Sequence, residues 1–169
     1  MFSYPAYTLN EFDLRTQQFS VTFDALLVGH EAGVTSISWR DDVASTPTLL
    51  STSTDSSVTL WSPSKLRSDG DDSASIWINR QRFGDVGGQR LGGFVTGVWA
   101  QNGKEVLAVG WSGGWRRWRC GTIVGDVMNE NWEEAGALTG HRGPVRGLDW
   151  SPDGSYLITT GYVIIPYLF

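Results

Sequence analysis

Two segments of the sequence repeat each other without a gap, and this repeat constrains the fold more than any other feature. They are LLVGHEAGVTSISW at 26–39 and ALTGHRGPVRGLDW at 137–150, and each has Gly-His, a Val four residues after the His and a Trp five residues further on. Between them, QRLGGFVTGVWA at 89–100 keeps the apolar rhythm and the Trp, but has Gln89-Arg90 in place of Gly-His. Such a period indicates similar structural units that stack against each other.

Each copy is followed by a second apolar segment after a polar turn. In the third copy the turn is SPDGS at 151–155, whose Pro, Asp and Gly favour a tight reversal. Two copies then continue into a third segment that ends in Trp, at 55–61 and 112–118. Short apolar segments separated by turn residues predict β-strands in every unit.

The composition supports an all-β protein. The 169 residues include nine Trp and 21 Gly, and the 40% hydrophobic and 18% charged fractions are typical of a globular domain. A net charge of −5 disfavours sequence-independent attraction of the whole chain to a nucleic-acid backbone. A single cysteine, Cys120, excludes an internal disulfide, and we find no signal-peptide pattern or membrane span. We therefore expect a cytoplasmic and nuclear location.

Four residues of the first copy carry a resemblance to WD-repeat β-propellers: Gly29, His30, Asp55 and Trp61. The resemblance implies a buried hydrogen-bonded set of His, a strand hydroxyl, the turn Asp and the Trp, in which Ser51 or Ser53 would supply the hydroxyl. The structural set that we predict on this basis is His30, Ser53, Asp55, Trp61 and, in the third copy, His141. Its role would be to hold the fold, because a buried carboxylate needs hydrogen-bonding partners.

The order of the copies, with an atypical middle one, resembles the second subunit of the Elongator complex over about residues 19–161. The most specific piece is Arg82 to Gly88, RFGDVGG, since ordinary WD blades do not need it. The resemblance implies a non-catalytic scaffold without a cofactor. It would hold the large subunit and the catalytic subunit of a complex that modifies wobble uridines of tRNA.

The predicted fold is all-β, a partial propeller of about three consecutive four-stranded blades whose ring is not closed. We expect an outer strand of a preceding blade and a lead-in at 1–25, and a first blade with an acidic linker at 26–75. An atypical second blade would follow at 76–136, and an incomplete third blade at 137–169. From about residue 162 the pattern ends, because Val163 stands where the turn Asp is expected and Pro166 falls inside the third strand. We therefore expect the last residues, YVIIPYLF, not to be native family sequence.

The segment WRRWRC at 115–120 is the candidate binding patch. Alternation along a strand would place Trp115, Arg117 and Arg119 on one face and Arg116, Trp118 and Cys120 on the other. Trp115, Arg116 and Arg119 could contact a protein partner or single-stranded RNA. The alternative is packing within the blade, with solvated arginines.

Other chemistry has weaker support. With only His30, His141 and one Cys, the sequence offers no metal-ligand cluster and no assembled nucleophile and base, so we expect no enzyme. The acidic run at 69–72 lacks the spacing of a calcium loop. The glycine-rich stretch at 82–94 fits neither a P-loop nor a dinucleotide fingerprint. Two alternatives stay open: a generic WD-repeat adaptor in another assembly, and a nucleotide-binding enzyme.

Overall fold

A computed structural model describes residues 2–13, 15–40, 46–64, 76–84, 92–100, 103–121, 130–153 and 155–161. These residues contain twelve β-strands. No helix within these ranges is long and apolar enough to cross a membrane. The acidic run at 69–72, most of the RFGDVGG piece and the segment from residue 162 onward lie outside the described residues.

The strands are numbered in chain order. Their bounds are β1 Phe2–Asp13, β2 Gln18–His30, β3 Val34–Trp39, β4 Leu49–Ser53, β5 Ser57–Pro63, β6 Trp77–Gly84, β7 Phe94–Trp99, β8 Glu105–Gly110, β9 Gly114–Cys120, β10 Trp132–Thr139, β11 Val145–Trp150 and β12 Leu157–Gly161.

The strands form four antiparallel sheets that follow the chain. Strands β1 and β2 form a two-stranded hairpin, β3 to β6 form the first sheet, β7 to β10 form the second sheet, and β11 and β12 pair as the third sheet. In each four-stranded sheet the order in space is the order in sequence, as in a blade that runs from an inner strand outward. The prediction of an all-β, partial propeller with an open ring is confirmed.

The inner strands share one irregularity. A register shift follows the first residue of β3, β7 and β11, at Val34/Ser36, Phe94/Thr96 and Val145/Gly147. A bulge bends a strand and increases its twist, so the repeated bulge gives the three inner strands the same local shape. The repeated sequence therefore corresponds to a repeated backbone feature, a bulge at the same position of each inner strand.

The core lies between the sheets and not within one layer. From the first sheet it takes Leu50, Val58, Leu60 and Phe83, and from the second Phe94, Trp99, Val106, Ala108 and Trp118. Gly97 allows this close approach, because a Cβ there would lie 2.6 Å from Thr52 Cγ2. A smaller cluster of Leu107, Val109 and Val145 joins the second sheet to the third.

The hairpin occupies the segment in which we expect an outer strand and a lead-in. Strand β1 and most of β2 lie within residues 1–25, and β2 contacts the outer strand β6 of the first sheet. Ala25 and Leu27 pack on Trp61, and Trp77 Nε1 donates to Asp24 Oδ2 at 3.2 Å. The unit that we predicted at 76–136 begins with β6, but β6 pairs with β5 and belongs to the first sheet. The predicted unit boundary therefore lies one strand before the boundary between the sheets.

Candidate functional site

The predicted buried set surrounds His30, the last residue of β2. His30 is 1% exposed, and its Nδ1 lies 3.1 Å from Asp55 Oδ2 and 3.1 Å from Ser57 Oγ. Its Nε2 lies 2.7 Å from Ser51 Oγ. A carboxylate beside Nδ1 calls for the proton on that nitrogen, so Nε2 accepts from the Ser51 hydroxyl.

Trp61 completes this arrangement from β5. Its Nε1 donates to Ser51 Oγ at 2.8 Å, and its ring packs edge-on to His30 at a centroid distance of 6.4 Å. Ser51 therefore accepts from Trp61 and donates to His30. One buried hydroxyl satisfies two ring nitrogens that come from different strands.

Asp55 accepts hydrogen bonds from the residue that follows β2 and from the first residue of β5. The amide of Glu31 donates to Oδ2 at 2.8 Å, while the amide and hydroxyl of Ser57 donate to Oδ1 at 2.9 and 2.6 Å. Arg82 Nη2 lies 3.5 Å from Oδ2. The carboxylate thus ties the end of β2 to the turn between β4 and β5.

The two titratable groups of the set respond to burial in opposite ways. Burial lowers the pKa of His30 below its ordinary value, and the neighbouring Asp55 carboxylate offsets only part of that effect. Burial alone would raise the pKa of Asp55, but the hydrogen bonds from Ser57 and Glu31 lower it below its ordinary value. The neutral imidazole and the ionised carboxylate are therefore both favoured.

Ser53, which we placed in the set, occupies a different position. Its hydroxyl donates to the carbonyl oxygens of Ala32 and Gly33 at 3.2 and 3.0 Å and accepts from the amide of Asp55 at 3.1 Å. Residues 51 and 53 share a face of β4, but only Ser51 lies deep enough along the strand to reach Trp61 Nε1. The hydroxyl of the set is that of Ser51, and Ser53 orders the turn instead.

The third sheet contains part of the same arrangement. His141 Nε2 lies 2.7 Å from Thr159 Oγ1, and Thr159 aligns with Ser51 when 157–161 is placed on 49–53. The positions that align with Asp55 and Trp61 are Val163 and Phe169, which lie outside the described residues.

The second sheet replaces the polar set by aromatic packing. Ala108 aligns with Ser51 and is fully buried. Trp118 aligns with Trp61 and stacks on Phe83 of β6 at 5.3 Å, with Phe94 edge-on to it at 6.0 Å. The second copy therefore lacks both the Gly-His pair and the Ser hydroxyl to which its histidine would bond.

The arginines of strand β9 are engaged by acidic residues of the neighbouring strands. Glu105 accepts from Arg117 Nε and Nη2, both at 2.8 Å, and from Arg119 Nε at 2.6 Å. Burial alone would raise the pKa of Glu105, but these two guanidinium groups lower it. On the opposite face, Arg116 Nη1 lies 3.8 Å from Glu134 Oε2.

The three residues of the predicted patch do not form one surface. Trp115 is half-buried against the cluster that joins the second and third sheets, Arg116 points to the other face, and the side chain of Arg119 is 55% exposed. Trp118 and Cys120 are buried, and burial raises the pKa of the Cys120 thiol. Of the three, Arg119 offers the most exposed side chain.

One ion pair was not anticipated from the sequence. Arg40 Nη1 lies 2.7 Å from Glu130 Oε1, with side chains only 2% and 6% exposed, and it joins the first sheet to the second. Glu130 Oε2 also accepts from Trp132 Nε1 at 3.0 Å, and the Arg40 guanidinium lies 5.3 Å from the Trp99 ring centroid. Ninety positions separate Arg40 and Glu130, and no motif marks either residue.

Comparison with known proteins gives consistent matches. The WD40 family model, described as WD domain, G-beta repeat, matches residues 21–62 and 132–162. Elongator complex protein 2 of Schizosaccharomyces pombe is 32% identical over 166 residues, which covers 92% of this chain and 19% of that protein. The proteins of the same name from Mus musculus and Homo sapiens are 31% and 32% identical, with 91% and 85% of this chain and 18% and 17% of those proteins covered. The chain thus spans about a fifth of the length of the curated relatives it matches.

Proposed function

We propose, from the premise that this is a WD-repeat chain similar to a section of Elongator complex protein 2, that it acts as a non-catalytic scaffold in an Elongator-type complex. The buried set around His30 carries this proposal. Its ring nitrogens, hydroxyls and carboxylate are paired with one another beneath the surface, so the polar residues of the WD signature hold strands together and are not presented to a substrate.

The other titratable groups support the same function. Within the described ranges no three His, Cys, Asp or Glu side chains lie close enough to hold a metal ion. Cys120 is buried and its pKa is raised, which favours the unreactive thiol over the thiolate.

The partners that we propose are the large subunit and the catalytic subunit of an Elongator-type complex, with tRNA wobble-uridine modification as the process served. Cytoplasm and nucleus are the proposed locations. The pairing of Arg117 and Arg119 with Glu105 favours a protein partner over RNA, because the carboxylate offsets the positive charge that phosphates would need.

Co-purification tests this function. The tagged 169-residue chain should recover the large and catalytic Elongator subunits from cells of its source. Recovery of a different stable assembly without either subunit would instead support a generic WD-repeat adaptor. Binding of nucleotide by the purified chain would support the enzymatic alternative.

Charge reversal on β9 tests where a partner binds. Arg119→Glu and Arg116→Glu change opposite faces of the strand, and Arg142→Glu, an exposed position before β11, serves as the control. Loss of subunit recovery in Arg119→Glu alone, with an unchanged melting temperature, would assign the binding face. Loss of tRNA affinity with normal subunit recovery would point to RNA as the partner. No loss in either variant would indicate that the arginines of β9 serve only packing within the blade.

A further inference from the structure

The turn between β4 and β5, residues 54–56, lies against both described ends of the glycine-rich stretch. Gly84, the last residue of β6, has a φ of +99°, and a Cβ there would collide with the carbonyl oxygen of Ser56. Gly93, just before β7, has a φ of +88°, and a Cβ there would lie 2.8 Å from Thr54 Cα. The stretch therefore approaches this turn more closely than a residue with a side chain would allow.

Arg82, two residues before Gly84, contacts the middle residue of the same turn. Its Nη2 lies 3.5 Å from Asp55 Oδ2, and its Nη1 lies 4.0 Å from Glu31 Oε1. The side chain of Asp55 is 5% exposed and that of Arg82 is 27% exposed, so the arginine is on the outer side of the pair. Arg82 Nε is buried and has no hydrogen-bond partner within the described ranges. The attraction of the two carboxylates for the guanidinium offsets the cost of that buried donor.

The carboxylate oxygen that Arg82 contacts also serves His30. Asp55 Oδ2 lies 3.1 Å from His30 Nδ1 and accepts from the amide of Glu31 at 2.8 Å. Among the described residues, the charged groups that face His30 are Asp55 from the turn and Arg82 from β6, with Glu31 beyond them. The contacts from β4 and β5 are hydroxyl groups and the Trp61 ring, which carry no charge.

These groups determine how readily His30 takes up a proton. Burial is the main cause of the lowered pKa of His30, the Asp55 carboxylate raises that pKa, and the Arg82 charge lowers it again. A proton on His30 would place two positive charges, the imidazolium and the guanidinium, beside one carboxylate oxygen. The two groups therefore compete for Asp55.

The arginine occurs in the sheet that has the aspartate. In the second sheet, strand register and the sequence repeat place Ala137 at the position of Arg82 and Ser112 at the position of Asp55. Both members of the pair are thus replaced together. An arginine at this position of an outer strand is not needed for strand pairing, which favours a role tied to the aspartate.

We propose that Asp55 Oδ2 is a pH-sensitive fastening point for the end of β6. At neutral pH, Arg82 holds the carboxylate from the outer side and adds to burial in keeping the His30 ring neutral. In acid, the protonated ring takes the charge of Asp55, the guanidinium is repelled, and the segment 82–84 loosens from the turn 54–56. This property does not depend on which partners the chain binds.

The titration of His30 tests the fastening, followed by NMR of the imidazole ring in the 169-residue chain. The chain has two histidines, so His141→Gln identifies the His30 signal. In Arg82→Met we expect the pKa of His30 to rise, because the opposing positive charge is gone. The free energy of unfolding should then fall less on acidification than in the wild-type chain, because the folded variant binds the proton more readily.

Two further variants separate charge from packing. Arg82→Lys keeps the positive charge and should leave the pKa of His30 closer to its wild-type value than Arg82→Met does. Arg80→Met is the matched control, because Arg80 lies two residues earlier on β6 and its Nη2 lies 3.3 Å from Pro63 O, away from the buried set. It should leave the titration of His30 unchanged.

Hydrogen exchange in the wild-type chain tests the release without altering the arginine. After correction for the intrinsic effect of pH on exchange, the amides of 82–84 should lose more protection than those of β8 between about pH 7 and pH 5. His30→Gln should remove that difference. The proposal is wrong if the pKa of His30 is the same in Arg82→Met as in the wild-type chain, or if Arg80→Met or Arg82→Lys raises it as much as Arg82→Met does. Equal protection of 82–84 at both pH values would also overturn it, even if Arg82→Met failed to fold.

Discussion

At the scale of single residues, Ser51 is the position on which the buried set depends. Ser51→Ala removes the acceptor of Trp61 Nε1 and the donor to His30 Nε2, so two buried ring nitrogens lose their partner. We expect a loss of about 1–3 kcal/mol in the free energy of unfolding, measured by urea denaturation. Ser53→Ala is the control and should cost less, because only one donor, the amide of Asp55, loses its acceptor, while the Gly33 carbonyl still accepts from the Thr54 amide at 3.0 Å. Equal costs would contradict the assigned roles.

The lowered pKa values of His30 and Asp55 predict loss of stability in acid. The unfolded chain binds a proton at His30 more readily than the folded one, so stability falls as pH drops below the ordinary histidine value of 6.5. Asp55 adds a second loss as pH drops below its ordinary value of 3.8. Urea unfolding at a series of pH values between about 7 and 5 isolates the first effect, since ordinary carboxyl groups stay largely ionised there. His30→Gln should flatten the slope, and an unchanged slope would show that His30 is not its source.

The sequence identifies most members of the buried set, but it does not show how these side chains are arranged. His30, Asp55 and Trp61 stand out because the repeat and the resemblance mark them. Ser51 and Ser53 lie on the same face of a strand, so alternation cannot choose between them. The choice depends on how far along β4 the Trp61 ring reaches, which is a property of the packed sheet.

At the scale of elements, the pair Arg40 and Glu130 links the first sheet to the second. Because both side chains are almost fully buried, Arg40→Met would leave the Glu130 charge without its counterion and should cost about 3–5 kcal/mol in the free energy of unfolding. The double variant Arg40→Met, Glu130→Leu should recover most of that loss, since no unpaired charge remains.

The half-exposed pair on β9 is the matched control. Arg117→Met leaves Glu105 in contact with Arg119, so we expect a cost of at most about 1 kcal/mol in the same unfolding measurement. A cost for Arg40→Met no larger than this would mean that the buried pair does not couple the sheets.

The strands were predictable and the contacts between sheets were not. Apolar segments at repeating positions located β3, β4, β7, β8, β11 and β12, because the same residue types recur in each unit. The Arg40 and Glu130 pair joins residues far apart in the chain that differ from copy to copy, so no repeat marks them. Likewise, the aromatic stack of Phe83 on Trp118 follows from the packing of adjacent sheets and not from either strand alone.

At the scale of the whole molecule, the sheets form an open series held together by hydrophobic clusters between neighbouring sheets. Gly113 provides the tightest contact between the second sheet and the loop before the third. It has a φ of +86°, its carbonyl accepts from the His141 amide at 3.3 Å, and a Cβ there would collide with the carbonyl oxygens of His141 and Gly143. Gly113 therefore sets how closely the loop before the third sheet can approach the second, next to the cluster of Leu107, Val109 and Val145 that joins the two sheets.

Gly113→Ala should detach the third sheet while the first two remain folded. The added Cβ meets backbone atoms, which cannot move aside as a side chain would, and the positive φ is itself unfavourable for alanine. Hydrogen exchange followed by mass spectrometry should show loss of protection in β11 and β12, with β4, β5 and β8 still protected. Gly140→Ala is the control, because nothing lies within 4 Å of a Cβ at that position. Equal loss of protection in all sheets would show that the sheets unfold as one unit, and retained protection in β11 and β12 would show that the contact at Gly113 is not required.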